Sequence, residues 1–466
     1  MTRAYFAVFV AATLAIGLRS SPSHAQPGQG SAAGPARDTI AFVDITVLPM
    51  DRERVLTHQT VLVADGRITK MGSATGTSLP TSATRVDGRG KFLLPGFVDM
   101  HAHFLAGTED LTTPAGRQLA LYVANGFTTV RGLGGAPSAL LLRARIDSGL
   151  VVGPRLVVAS PSINGRSAKT TADVSRLVEA ARVAGFDLVK THGGFPDASF
   201  YDTLVAATKR AKLPLVGHVT PEFGLRRAMD AGQQIEHLDG FIAEIVDGGL
   251  PPQKDPQIIA DSALLSHINA GKLARLAREM ATRRLWNDPT LSLFEVATSD
   301  STPEQYAQRL EMKYAAPGWA AQYAKQKAPM LTDFPANGRL ALTAARRQII
   351  RALYAAGAKL LIGSDSPQLF VLPGFGARDE MLAFVRAGLP PYAALEAATR
   401  NAAEFLGRSD DVGTVAVGKR ADLVVLGGDP LKDIGNIARV DGVMLSGRWL
   451  AAPALASLIA PLETKP

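Results

Sequence analysis

Two histidines close the apolar stretch Leu94-Pro-Gly-Phe-Val-Asp-Met-His-Ala-His and are the first residues with evident chemistry. His101 and His103 stand two residues apart, so their side chains would leave a strand on the same side. Neutral imidazole is the commonest protein ligand for zinc-type cations. Because the chain has no cysteine, its metal ligands must be histidine, carboxylate or a modified lysine. Two histidines alone are weak support for a metal site. Whether a site is predicted depends on where the other polar residues stand.

Four more polar residues stand where apolar, strand-like segments end: Lys190, His218, His237 and Asp365. The carboxyl ends of parallel barrel strands converge in space although they are distant in sequence. Each residue alone has a plain alternative, since a histidine at a strand end is often only solvated. Their recurrence at the ends of several strands, together with the histidine pair, predicts a metal site at the rim of a barrel.

The elements that must position these residues alternate along the chain. Apolar, strand-like segments begin near eight positions: Phe97, Thr128, Arg155, Asp187, Pro214, Gln234, Arg284 and Ala358. Helical patterns follow most of them, for example at Asp173–Ala184, Ala198–Lys212 and Gly376–Ala387. Strands alternating with helices over about 300 residues are typical of a (β/α)8 barrel. A doubly wound open sheet is the alternative, but it would usually bring a glycine-rich phosphate loop after the first strand, and none follows Phe97.

Short β-like segments flank the barrel pattern at both ends. The Asp65-Gly66 step between β-branched stretches is a strong hairpin signal. Neither flank is large enough to be stable alone, so residues 38–90 and 411–466 are predicted to form one small β-sandwich around the barrel of residues 91–410.

Two spacings within the barrel pattern are too long for simple loops. Residues 241–283 and 296–357 are interpreted as mostly helical insertions. In a barrel, segments after strands six and seven lie over the mouth that carries catalysis, so these insertions are expected to shape the substrate pocket.

The first 25 residues have the pattern of a secretory signal peptide. Arg3 supplies the positive charge, Ala7 to Leu18 an apolar core, and cleavage is expected after Ala25. Residues 26–37 are rich in Gly, Pro, Ser and Ala and are interpreted as a flexible leader. We therefore predict a periplasmic or secreted protein, with an uncleaved N-terminal anchor as the alternative. The apolar run is too short to span a bilayer, and no membrane-length run follows it.

Composition excludes other classes of partner. Of 466 residues, 47% are hydrophobic and 20% charged, which is ordinary for a globular protein. The net charge of +8 is scattered, without a run of five like charges, so no nucleic-acid surface is predicted. Homo-oligomerisation is left open.

In their order and context these motifs resemble the metal-dependent amidohydrolase superfamily. The branch they resemble more closely holds imidazolonepropionase-related proteins and Xaa-Pro dipeptidases. The resemblance covers nearly all of the chain after the leader. Its motifs are the histidine stretch, Gly126-Phe-Thr-Thr-Val-Arg131, the strand ends at Lys190, His218 and Ile235-Glu-His237, Gly363-Ser-Asp365-Ser, Ala398-Thr-Arg-Asn-Ala-Ala-Glu-Phe-Leu-Gly, and Gly418-Lys-Arg-Ala-Asp-Leu-Val-Val-Leu.

The resemblance implies two divalent metal ions, with zinc the expected element. His101 and His103 would hold one ion together with Asp365, and the other two histidines would hold the second. Lys190 would bridge both as a carbamate formed with CO2. A water bridging the ions would lose its proton at neutral pH and become the nucleophile. Asp365 would accept that proton and deliver it to the leaving group.

Substrate contacts are less well defined by the sequence. Gly132 follows Arg131 where relatives often carry aspartate, and Ser162-Ile-Asn-Gly-Arg166 stands where dipeptidases tend to have Gly-Gly-His. A proline dipeptide therefore does not follow from the resemblance. His192, Arg166 and Arg131 are the candidate substrate contacts. A solvated loop position for His192 and a surface ion pair for Arg166 are equally compatible with the sequence.

The sequence thus predicts an exported, binuclear hydrolase of an amide or peptide-like C–N bond in a dipeptide, N-acyl amino acid or related amide. One alternative is a deaminase or cyclic-amide hydrolase with a single functional ion. A second, from another class, is a catalytically inactive binding protein on the same scaffold, although every ligand position is present.

Cleavage of the signal peptide should leave a mature protein that begins at Gln26 and accumulates outside the cytoplasm. The cleaved segment contains Arg3 and Arg19 and no acidic residue, so the net charge falls from +8 to +6. N-terminal sequencing of protein recovered from the periplasm or the medium checks this expectation. Cytoplasmic protein that retains Met1 would contradict it.

Overall fold

The computed structural model describes residues 39–104, 107–250 and 258–464. The predicted signal peptide and the leader lie outside the described residues. Within those ranges seventeen β-strands occur. In chain order they are β1 Ile40–Val47, β2 Leu56–Ala64, β3 Arg67–Ser73, β4 Thr84–Asp87, β5 Phe92–Pro95, β6 Phe97–Ala102, β7 Phe127–Gly132, β8 Arg155–Val158, β9 Ile163–Asn164, β10 Val189–Gly193, β11 Leu215–Gly217, β12 Gln234–Glu236, β13 Trp286–Asp288, β14 Lys359–Leu360, β15 Leu423–Leu426, β16 Val440–Leu445 and β17 Arg448–Ala451.

Sixteen α-helices lie in the same ranges, most of them between barrel strands. In chain order they are α1 Pro114–Ala124, α2 Pro137–Asp147, α3 Thr171–Ala184, α4 Ala198–Ala211, α5 Gly224–Ala231, α6 Phe241–Ile245, α7 Ser262–Leu265, α8 Ala270–Thr282, α9 Leu291–Thr298, α10 Pro303–Ala307, α11 Trp319–Asp333, α12 Ala336–Ala355, α13 Phe375–Arg386, α14 Pro391–Ala397, α15 Arg400–Phe405 and α16 Ala452–Ile459. None of these helices combines the length and the apolar character needed to cross a membrane.

Parallel strands form a closed barrel. Strands β6, β7 and β8 pair in one sheet, and β9 to β14 pair in a second. Two parallel bridges join these sheets, Ala159 with Leu188 on one side and Ala102 with Ser366 on the other. Strands β8 and β9 follow one another between β7 and β10 and count as one position in the barrel. The nine strands therefore fill eight positions. The predicted (β/α)8 architecture is confirmed.

The strands at the two chain ends share one sheet, in the order β17-β16-β15-β5-β1-β2-β3, with β4 paired to β1. Its core mixes residues of both ends, and the ring of Phe42 meets the ring of Trp449 edge-on at 5.0 Å. Strand β5 runs through Gly96 directly into β6, and the Gly96 N–H donates to the carbonyl of Asp422 (2.9 Å). A Cβ at Gly96 would lie 2.2 Å from Thr128, so the junction requires glycine. The β domain built from both ends thus anchors the first barrel strand.

The long segments after β12 and β13 are largely helical, as α6 to α8 and α9 to α12. The second segment packs against the loop that follows the eighth barrel strand. Phe370 in that loop stacks on Tyr306 (5.4 Å between ring centroids) and meets Tyr323 edge-on (5.6 Å). Gln326 accepts a hydrogen bond from the backbone N–H of Leu369 (2.9 Å). The segment therefore supports the chain just beyond Asp365.

A buried carboxyl group caps the first helix of this segment. Glu380, on α13, accepts hydrogen bonds from the backbone N–H groups of Leu291 (2.7 Å) and Ser292 (2.5 Å) at the start of α9. Burial raises the pKa of Glu380 to about 7. The first N–H groups of a helix have no partner within the helix, so this side chain satisfies two of them. Glu380 thereby fixes the start of α9, just after the end of β13.

Replacing Glu380 with alanine would leave both N–H groups buried without an acceptor. We expect the free energy of unfolding to fall by about 2–6 kcal/mol, because each of the two unsatisfied buried donors costs about 1–3 kcal/mol. Glu380→Gln keeps one acceptor oxygen and should lose about half as much. Chemical unfolding of the purified variants measures the difference.

The matched control is Glu179→Ala, which removes an exposed glutamate paired with Arg182 on the surface of α3. Its effect should stay within about 0.5 kcal/mol. Equal stability of Glu380→Ala and the wild-type protein would show that the cap does not stabilise the fold.

Candidate metal centre

The six residues predicted as ligands meet at the carboxyl ends of the barrel strands. His101 and Lys190 belong to β6 and β10, and the other four follow directly on a strand or lie near its end. The imidazole centroids of His101 and His103 are 5.4 Å apart. Those of His101 and His237 are 4.8 Å apart, and His237 and His218 stack at 4.6 Å. The histidines therefore form one continuous cluster.

Asp365 lies against this cluster. Its Oδ1 is 2.7 Å from His103 Nε2 and 3.3 Å from His101 Nε2, and its Oδ2 is 3.8 Å from His237 Nε2. One ligand atom from each of His101, His237 and Asp365 lies within 4.8 Å of the others. The neighbouring histidines lower the pKa of Asp365 in spite of its burial, which acts in the opposite direction. Asp365 is therefore placed as a carboxylate among imidazoles.

Lys190 is the least expected of the six. Its side chain is fully buried, and its Nζ has no hydrogen-bond partner among the described residues. Burial lowers the pKa of Lys190, while the carboxylates of Glu236 and Asp365 act to raise it. A buried amine without a partner is costly, so the position calls for a group that the protein atoms do not supply.

Three of the imidazoles are oriented from behind by an oxygen at Nδ1. The pairs are His101 with Glu236 Oε2 (2.8 Å), His218 with Asp239 Oδ2 (2.9 Å) and His237 with Thr290 Oγ1 (2.7 Å). The Thr290 hydroxyl donates to the carbonyl of Pro289 (2.8 Å), so its oxygen accepts from His237. Each ring thus carries its proton on Nδ1 and leaves Nε2 as the nitrogen that can bind a cation.

An ion pair inside the barrel supports the first of these partners. Arg131 donates from Nη2 to Glu236 (3.0 Å), from Nη1 to Gln234 (2.6 Å) and from Nε to the carbonyl of Met100. Its side chain is completely buried. The prediction that Arg131 contacts substrate is therefore wrong, because the guanidinium lies within the barrel wall and acts through Glu236 on the ring of His101.

A second buried carboxyl group connects β6, the first barrel strand, to the chain that follows β14, the eighth. Asp99 Oδ1 accepts from the backbone N–H groups of His101 and Ser364, each at 3.1 Å. Its Oδ2 accepts from the hydroxyls of Ser364 (2.6 Å) and Tyr122 (3.1 Å). Burial raises the pKa of Asp99 to about 6 against these hydrogen bonds. A Cβ at Gly363 would lie 2.5 Å from the Cβ of His101, so only glycine allows the two strands to approach this closely.

The two remaining candidates lie further out. His192 is half-buried, with its ring centroid 4.7 Å from that of His218 and its Nδ1 2.5 Å from Ser162 Oγ. Arg166 is exposed in the loop that follows β9. His192 therefore adjoins the ligand cluster, whereas Arg166 lies at the solvent side of the rim.

Sequence reasoning did not identify the oxygens behind the imidazoles. Glu236 stands within a motif quoted above, but its contact with His101 joins β12 to β6, the sixth and first strands of the barrel. Only the closed barrel brings these two strands together. Asp239 reaches back to His218 because His237 and Leu238 take positive φ angles of 59° and 55°. Alternation along a strand cannot predict such a turn.

The donor set fits divalent cations. Nε2 of His101 and Nζ of Lys190 are buried and have no hydrogen-bond partner among the described residues, and one ligand atom from each of His101, His237 and Asp365 lies within 4.8 Å of the others. Imidazole and carboxylate are ligands that zinc and related ions prefer.

Comparison with known proteins agrees with this chemistry. The model of the amidohydrolase family matches residues 92–450, well over half of the chain. The chain belongs to the amidohydrolase family. The predicted superfamily is thereby confirmed, and its members are metal-dependent hydrolases that act on C–N bonds. Among solved structures, the bottromycin amidohydrolase has a TM-score of 0.72 at 26% identity, covering 91% of this chain and 89% of that one.

Other similar proteins carry different names. A Xaa-Pro dipeptidase with methionine bound in its active site has a TM-score of 0.64 at 20% identity, covering 89% of this chain and 100% of that one. That likeness establishes a common fold. An adenine deaminase of Paracoccus denitrificans is 28% identical over 187 residues, 36% of this chain. The chain spans only 30% of the length of this curated relative.

Glu236→Gln should weaken metal binding without removing a ligand. The change removes the carboxylate to which Arg131 donates at 3.0 Å and weakens the hydrogen bond that holds His101. Substitutions behind a metal ligand typically cost 10- to 100-fold in affinity, and we expect about that loss for zinc. Competition with a chromogenic chelator measures it.

Glu404→Gln is the control, because Glu404 pairs with Lys359 and Arg284, away from the ligand cluster. Its zinc affinity should equal that of the wild-type protein. An unchanged affinity in Glu236→Gln would show that the buried ion pair does not support His101.

Proposed function

We propose that the protein is an exported metal-dependent hydrolase that cleaves an amide or peptide-like C–N bond, in a dipeptide, an N-acyl amino acid or a related small amide. His101, His103 and Asp365 would hold one divalent ion, with zinc as the expected element. His218 and His237 would hold a second, and Lys190 would bridge the two as a carbamate. Members of the family act on C–N bonds, and the substrate proposed for this chain is a small amide.

The observation that carries the proposal is the buried, unpartnered amine of Lys190. A positive ammonium beside two dications would be repelled, and burial already favours its neutral form. A neutral amine attacks CO2 through its lone pair and forms a C–N bond, and the nitrogen then releases one proton. The product is a carboxylate carried on a lysine side chain. It places one negative charge where imidazoles otherwise supply neutral ligands.

Divalent cations bound here would supply Lewis-acid activation of water and of the substrate carbonyl. The chain's own residues do the rest. Asp365 is a buried carboxylate that can take a proton from the attacking water and give it to the leaving amine. Glu236, Asp239 and Thr290 hold the imidazoles in one tautomer, so the ligand nitrogens need not reorient.

A deaminase of a heteroaromatic amine is the second candidate. It is favoured by the 28% identity with an adenine deaminase, although that match covers 36% of this chain. In both reactions water attacks a carbon bound to nitrogen and the nitrogen leaves, as an amine or as ammonia, so the ligand cluster suits either. Ammonia release from adenine would support deamination. Hydrolysis of dipeptides or N-acyl amino acids with two metal ions per chain would support the amide reading.

Lys190→Ala should lose at least one metal ion and most of its turnover. We expect a decrease of about 1000-fold or more, as for removal of a metal-activated nucleophile. Acetate or propionate, added with excess metal, should restore part of both, because either acid fits the vacated space and supplies a carboxylate. Lys190→Arg should be inactive, since a guanidinium stays charged and cannot carry CO2. Elemental analysis and hydrolysis of an amide library measure these effects.

Lys327→Met is the matched control. Lys327 is also fully buried, but its Nζ donates to the carbonyls of Ala297 (3.2 Å) and Ser299 (2.6 Å). Its loss should reduce stability and leave the metal content of the folded protein unchanged. Near-normal activity of Lys190→Arg would rule out the carbamate.

A further inference from the structure

Four imidazole rings form a row at the mouth of the barrel. Their centroids are spaced 4.8 Å from His101 to His237, 4.6 Å from His237 to His218, and 4.7 Å from His218 to His192. The first three belong to the proposed ligand set. His192 continues the row towards the rim and, two residues after Lys190 on β10, leaves that strand on the same side.

The hydrogen bonds around His192 differ from those of the other three rings. Its Nδ1 faces a hydroxyl, Ser162 Oγ, at 2.5 Å. That oxygen already accepts a hydrogen bond from the side-chain amide of Asn164 (3.3 Å). Asn164 can only donate to this oxygen, and among the described residues the hydroxyl proton of Ser162 has no acceptor other than Nδ1 of His192, so the hydroxyl donates to Nδ1. The neutral ring therefore carries its own proton on Nε2.

This tautomer is the reverse of that found in the ligand rings. Carboxylates and a threonine oxygen accept from Nδ1 of His101, His218 and His237, which leaves Nε2 with a lone pair for a cation. In His192 the remaining nitrogen is a donor instead. A ring that presents N–H cannot ligate a cation through that nitrogen, but it can donate to an oxygen.

We propose that His192 is a substrate-binding residue that donates a hydrogen bond from Nε2 to an oxygen of the substrate, and that Ser162 positions it by holding Nδ1. The inference rests on the proposed amide hydrolysis, because it assigns the ring to the substrate of that reaction. The oxygen belongs either to the scissile carbonyl or to a free carboxylate of the same small amide. The carbonyl oxygen and the carboxylate oxygen can each accept a hydrogen bond from this N–H group.

The test uses the zinc-loaded protein and the member of a dipeptide and N-acyl-amino-acid library that the wild-type protein hydrolyses best. His192→Phe keeps an aromatic ring beside His218 and removes the donor. Its kcat/KM should fall about 10- to 100-fold, as for loss of one substrate hydrogen bond, while two metal ions per chain are retained. His192→Gln retains an N–H donor and should recover part of the activity. Ser162→Ala should show a smaller loss.

A second measurement does not depend on turnover. Long-range proton–nitrogen NMR of the imidazoles distinguishes a ring protonated on Nε2 from one protonated on Nδ1. Comparison with His192→Phe identifies the signals of His192. The wild-type protein should show the Nε2–H form, and Ser162→Ala should shift His192 towards a mixture. His58→Phe is the control, since His58 is an exposed histidine paired with Asp44 in the β domain and should change no kinetic constant.

The amide-capped form of the same substrate locates the contact. A loss in His192→Phe that vanishes with the capped form identifies the carboxylate, and a loss that persists identifies the scissile carbonyl. The inference is overturned if His192 is protonated on Nδ1, if His192→Phe loses metal, or if its kcat/KM is unchanged while the wild-type protein is active. A wild-type protein that hydrolyses no amide overturns the proposed function and this inference together.

Discussion

The burial of Lys190 among metal-binding side chains is the constraint on which the rest of the structure depends. An amine without a hydrogen-bond partner inside a protein costs free energy, and the nearby Nε2 of His101 likewise has no hydrogen-bond partner among the described residues. Under the proposed function, bound cations and a carbamate on Lys190 would complete this cluster. The barrel must therefore hold its ligand atoms in place whether or not those groups are present.

The side chains that hold the candidate ligand atoms in place lie deeper inside the barrel. Glu236 and Asp99 are completely buried. Glu236 contacts the ring of His101, and Asp99, on the same strand as His101, accepts from the backbone N–H of His101. Arg131 balances Glu236 within the same layer. Asp288 lies nearby with neither carboxylate oxygen hydrogen-bonded among the described residues, and burial raises its pKa well above the usual value. The interior is thus a polar network rather than an apolar filling, which makes its geometry specific.

The insertion after the seventh strand completes the support from outside. Its helices pack against the loop that follows Asp365, and Glu380 caps the helix that starts next to Thr290. The side chain of Arg346 on α12 also donates to the carbonyls of His237 and Pro289. The segment that the sequence predicts to shape the pocket therefore also holds the backbone of His237, a candidate ligand.

The sequence by itself determined the architecture and which candidate ligands lie together. Apolar segments near Phe97 and Gln234 are barrel strands, and the polar residues at their ends meet at one rim, because parallel strands place their carboxyl ends together. Tertiary structure alone decided which oxygen orients each ring, that Arg131 lies in the wall rather than at the substrate, and that Ser162 reaches His192. Those contacts join residues from different strands or depend on a turn with positive φ. Local patterns carry no information about either, because the distances are set only when the barrel closes.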